Sequence, residues 1–128
     1  MHVLEAGDWS LLLPPEWQAE DDGESIVIGD RDDVGCLEIS ELHKEDGEFG
    51  ATDLAELTAE SQPWIPLHCG SFTGLVSGLI EEEVAIREWY LTAGDLLLYI
   101  TYSCELENRG MDDSAVDEIL DTLRYAKA

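Results

Sequence analysis

The chain has 128 residues, the size of one domain, and its 45 % hydrophobic content is enough to build a core. Thirty acidic residues face six basic ones, for a formal net charge of −24; this field repels nucleic-acid phosphates and anionic membrane surfaces and draws in basic protein surfaces. No apolar stretch is long enough to span a bilayer, and the N-terminus has neither the basic nor the apolar region of a secretory signal. The expectation is one domain over residues 1–128, in a cytoplasm of the bacterial type, with no nucleic-acid or membrane partner.

In chain order, Trp9 to Leu13 reads as a short apolar strand stopped by Pro14-Pro15. An acidic turn, Glu20-Asp21-Asp22-Gly23, leads to a strand from Glu24 to Gly29 centred on Ile26, Val27 and Ile28. After the turn at Asp30-Arg31-Asp32-Asp33, Val34 to Leu42 alternates and reads as its hairpin partner. Thr52 is placed to cap a short helix from Asp53 to about Ser61, filled by Ala51, Ala55 and Ala59 and ended by Pro63 and Pro66. Gln62 to Gly70 has no clear period. Three strands then follow, Ser71 to Ile80, Glu83 to Thr92 and Leu96 to Cys104, with links short enough for an antiparallel meander. Asp112, Asp113 or Ser114 caps a final helix whose stripe is Val116, Ile119, Leu120 and Leu123, with Arg124 and Lys127 near its negative end. These elements predict an α+β fold: an antiparallel sheet of about six strands with two helices packed against it, in the order β-β-β-α-β-β-β-α.

Trp9-Ser-Leu-Leu-Leu-Pro-Pro-Glu-Trp17 resembles the opening of PsbP/DcrB-like domains. Arg87-Glu-Trp-Tyr-Leu-Thr-Ala-Gly-Asp-Leu-Leu-Leu-Tyr-Ile-Thr101 resembles the last strand pair of that group, and Asp117-Glu-Ile-Leu-Asp-Thr-Leu-Arg124 is similar to its C-terminal helix. The group includes a photosystem II extrinsic subunit, a Ran-binding nuclear import factor and bacterial chaperones of secreted effectors. The resemblance implies a protein-binding module with no shared active site, and it carries over no functional residue.

The residues themselves offer few chemical motifs. His2, His43 and His68 lack the spacing of a zinc site with Cys36 or Cys69, and the three cysteines, with Cys104, form no CxxC pair. Cys36 and Cys104 lie in strand-like runs and read as buried, whereas Cys69 falls in a segment open to exposure. Asp30 to Gly35 echoes a calcium loop, but position five is Val34 and the flanks read as strands rather than helices. No cofactor is expected. Cys69 beside His68 is the nearest approach to a nucleophile pair, and the acidic surroundings oppose a thiolate.

Two features suit a binding surface. Trp64 and Ile65 lie in the irregular segment, where an aromatic side chain can anchor an interface. Glu81, Glu82 and Glu83 form the densest acidic run. The sequence therefore favours a non-enzymatic module, of adaptor, effector-chaperone or immunity-inhibitor type, engaging a basic protein partner. The alternatives are a small hydrolase or metal-dependent enzyme, and an acidic domain whose charge serves solubility alone.

Overall fold

The computed structural model describes residues 1–58 and 62–126. Its ten strands form two antiparallel sheets. In chain order they are β1 (His2–Ala6), β2 (Trp9–Leu13), β3 (Trp17–Asp21), β4 (Ile26–Asp30), β5 (Gly35–His43), β6 (Ile65–Cys69), β7 (Phe72–Glu81), β8 (Val84–Ala93), β9 (Leu96–Glu105) and β10 (Arg124–Tyr125). The helices are α1 (Ala51–Leu57) and α2 (Asp113–Leu120). The larger sheet runs β3-β4-β5-β9-β8-β7-β6 and the smaller one β1-β2-β10.

The mixed α+β class holds, but the expected order of six strands does not. All six expected strands are present, as β2, β4, β5, β7, β8 and β9. The four additional ones carry weak signals. β1 and β3 mix charged and apolar residues, β6 contains Pro66, and β10 is two residues long. Crossing from one sheet to the other happens at Pro14-Pro15, between the buried Trp9 and Trp17.

Tight turns set the register. β6–β7, β7–β8 and β8–β9 are joined by the two-residue links Gly70-Ser71, Glu82-Glu83 and Gly94-Asp95. Side chains alternate between faces, so Leu96, Leu98, Ile100 and Tyr102 of β9 share one face with Trp89 and Leu91 of β8 and with Leu37 and Ile39 of β5. That face is buried under β2 and α2, through Trp9, Leu11, Leu13, Val116, Ile119 and Leu120. The opposite face is covered in part. There Trp64 lies over Tyr90, ring centroids 5.5 Å apart, and Tyr90 over Tyr99 at 4.9 Å.

Both helices depart from expectation at their ends. In α1 the N-cap is Gly50, whose N–H is held by the Asp53 carboxylate at 2.8 Å, while Lys44 pairs with the same carboxylate at 2.9 Å. Its expected continuation through Ala59 to Ser61 lies outside the described residues, and α1 buries no residue of its own. α2 stops at Leu120. Leu123 is buried as its periodicity predicts, but Arg124 leaves the helix and pairs with Ser10 in β10; Lys127 lies outside the described residues.

The N-cap of α2, Asp112, gives no side-chain bond to its own helix. Its carboxylate instead accepts the Tyr102 hydroxyl at 2.5 Å, tying α2 to the central strand. Burial, then this bond, pushes the Tyr102 phenol well above its ordinary value. Gly35 makes room for the ring, since a Cβ there would sit 2.1 Å from the hydroxyl. Tyr102→Phe leaves the buried Asp112 carboxylate without this partner, so it is expected to lower unfolding stability by about 1–3 kcal/mol. Urea unfolding measures this, and an unchanged midpoint would show that the bond contributes nothing.

Candidate binding groove at the free edge of β7

β6 is shorter than its neighbour. It pairs Ile65–Cys69 with Phe72–Val76 and stops there, while β7 runs on to Glu81. The reason is in the sequence. Continued in register, Pro63 would face Gly78, and proline has no N–H to give a ladder. The stretch Ser77–Glu81 is therefore an edge.

Beside this edge lies a groove of about 510 Å³. Ile65, Val76, Ile80 and Ala85 supply apolar lining, and Arg87, Arg109 and Asp113 supply polar groups. Ile65 is 61 % exposed and Ile80 49 %, so two aliphatic side chains stand open on one groove. Arg87 is held on three sides: by Asp117 at 2.9 Å, by Asp113 at 3.5 Å, and over the Trp89 ring at 4.6 Å. Its charge is thus matched within the fold.

At the far end stands the β7–β8 turn. Glu82 and Glu83 have φ of 47° and 68°, the left-handed pairing of a type I′ hairpin turn, where Asn-Gly is the favoured sequence. Both side chains are exposed, as is Glu81. The Glu83 carbonyl accepts the Leu106 N–H at 2.8 Å, which brings the segment after β9 against the turn. Glu105 and Glu107 join the acidic tip there. A hydrogen bond between their carboxyl groups, then their mutual repulsion, raises the Glu105 pKa.

Ile65 and Glu81 to Glu83 thus lie along one edge. Trp64 does not point with Ile65. It precedes Ile65, falls on the opposite face, and is half-buried against Tyr90. Next to it Gln62 and Tyr99 both donate to the Glu88 carboxylate, at 3.1 and 2.7 Å. Trp64 fastens the chain to the sheet instead of offering a free anchor. The groove itself was hidden from sequence reasoning, because it arises from the unequal lengths of two strands; Pro63 was the available signal.

The remaining candidates are dispersed. Among the described residues no group of three or more His, Cys, Asp or Glu side chains is arranged to hold a metal ion. Cys69 and Cys104 are buried and Cys36 is half-buried, the reverse of the expectation for Cys69. Burial, then Asp121 and Asp117, pushes the Cys69 thiol up to about 11. His68 lies on the other face of β6 from Cys69. No helix among the described residues is long and apolar enough to cross a membrane.

No protein-family model matches the chain, and no curated protein does. Solved structures do match. One is a protein from Bacteroides thetaiotaomicron, similar over 94 % of this chain at 19 % identity and a TM-score of 0.75; the chain spans 46 % of that protein's length. Another is LpqN of Mycobacterium tuberculosis, described as involved in cell envelope biogenesis, with 98 % of this chain and 90 % of LpqN covered at 14 % identity and a TM-score of 0.59. A third is the cyanobacterial PsbP of Synechocystis, with 97 % and 91 % covered at 13 % identity and a TM-score of 0.45. The likeness to the first two, at 19 % and 14 % identity, is one of fold alone.

The left-handed backbone at Glu82-Glu83 costs about 1–2 kcal/mol per residue relative to glycine. Exchanging the pair for Asn-Gly is expected to raise the unfolding midpoint in denaturant. A lower midpoint would mean that the two glutamates make compensating interactions.

Proposed function

We propose that this chain is a non-enzymatic binding module that holds a basic segment of a partner protein in the groove beside β7. One observation carries the reading: an open groove with an apolar wall, flanked by exposed Ile65 and Ile80, ends on the acidic tip formed by Glu81, Glu82, Glu83, Glu105 and Glu107. Apolar contact supplies affinity, and the negative rim selects positive side chains and speeds their arrival. The net charge of −24 extends the same attraction over the whole surface. The buried, hard-to-ionise Cys69 supports a binding role over nucleophilic catalysis. LpqN, a neighbour in fold, is involved in cell envelope biogenesis, which fits an accessory domain that assembles with other components.

The competing view is that the acidity serves solubility alone. Charge reversal separates the two. Glu81→Lys, Glu82→Lys and Glu83→Lys together are expected to weaken binding of a lysine-rich peptide by at least about tenfold. The control reverses Glu45, Asp46 and Glu48, in the exposed loop near the Gly94-Asp95 turn at the other end of β8 and β9. Calorimetric titration at low and raised salt reads both. Equal losses in the two variants would leave only a general charge effect and remove the groove from the account.

A further inference from the structure

We infer that the partner segment binds as an added β-strand, pairing with Gly78 and Ile80 on the free edge of β7. This deepens the proposed function and rests on its groove and acidic tip.

The register decides which groups are available. A two-residue hairpin closes on a pair that exchanges both of its hydrogen bonds, and bonded pairs then alternate along the ladder. Closing at Glu81 and Val84, β7 gives β8 the N–H and C=O of Glu81, Leu79, Ser77, Leu75 and Thr73. The other turns agree. Closure at Cys69 and Phe72 makes Phe72, Gly74 and Val76 the bonded partners of β6, and closure at Ala93 and Leu96 leaves Val84, Ile86 and Glu88 of β8 facing β7. The next outward residues of β7 are Gly78 and Ile80. β6 has already ended, and no backbone hydrogen bond outside the ladders reaches either residue among those described. Two N–H donors and two C=O acceptors are left at the mouth of the groove, on a strand held firmly from its other side.

Edges like this attract a further strand unless they are blocked. Pro66 blocks the edge of β6: Ile65 and Leu67 bond to β7, so position 66 faces outward and lacks an N–H. Ser77–Glu81 contains no proline and no lysine. A strand laid there in line with β6 extends the sheet. Its residue opposite Gly78 points into the groove, where the missing side chain leaves room between Val76 and Ile80. An aliphatic side chain suits that position. Alternate positions turn to the other face, where Lys or Arg meets Glu81 and the tip beyond it. The fitting occupant is an extended segment of alternating aliphatic and basic residues, from a partner protein, bound by strand addition.

The test uses the full chain and two synthetic peptides, acetyl-Lys-Val-Lys-Ile-Lys-Val-Lys-amide and the same peptide N-methylated at its Val and Ile nitrogens. Affinities are read by calorimetry for the wild type and for Gly78→Pro. That substitution removes an outward N–H and leaves the bonds to β8 in place; circular dichroism and thermal unfolding confirm its fold. Strand addition predicts binding of the plain peptide, weakened at least about tenfold by N-methylation and by Gly78→Pro alike. The N-methylated peptide keeps the comparison decisive even if Gly78→Pro fails to fold. Equal affinity for both peptides overturns the edge pairing. If the charge-reversed variant still loses binding in that case, the acidic groove stands without the added strand. Failure of the wild type to bind either peptide overturns both.

Discussion

The register of β7, β8 and β9 governs the rest of the molecule. Three ten-residue strands joined by two-residue turns leave no freedom to slip, because a shift of one residue would carry every apolar side chain to the wrong face. The register puts Trp89, Leu91, Leu98, Ile100 and Tyr102 on the face that β2 and α2 cover. It puts Tyr90 and Tyr99 on the other, where Trp64 packs. It also decides which amides of β7 face outward.

The same constraint makes the surface unequal. α2 is fastened by Tyr102 to Asp112 and by Arg87 to Asp113 and Asp117, so the buried face is closed by specific polar contacts as well as by apolar area. Beyond the end of β6 no described residue plays that part. Proline at 63 ends one strand early, and glutamates in left-handed backbone end the next hairpin. Both choices go against the locally easier residue, and both border one groove: Pro63 lines it and the Glu82-Glu83 turn stands at its far end. Local departures of this kind gather at functional sites.

Much of the fold was legible in the sequence because its main strands carry strong, long periods. Leu96 to Cys104 and the stripe of Val116, Ile119, Leu120 and Leu123 announced the core, and all four stripe residues are buried. β1, β3 and β6 were missed because an edge or partly covered strand needs no clean alternation. The helical period also ran past the real end of α2: Leu123 keeps its place in the core after the backbone has turned toward β10. Of the candidate site, Ile65 and Glu81 to Glu83 were visible as residue types, but their common edge was not. For Trp64 the sequence shows the chemistry alone; its place one residue before β6 sets it on the opposite face from Ile65, against Tyr90.

Open groups on β7 are the basis of the functional claim, and backbone amide hydrogen exchange in the free protein tests them most directly. Followed residue by residue by NMR, Ser77 and Leu79 should be protected through β8, and Gly74 through β6, while Gly78 and Ile80 exchange rapidly. Slow exchange at Gly78 and Ile80 in the free protein would mean that their N–H groups are already bonded, and it would contradict the open edge.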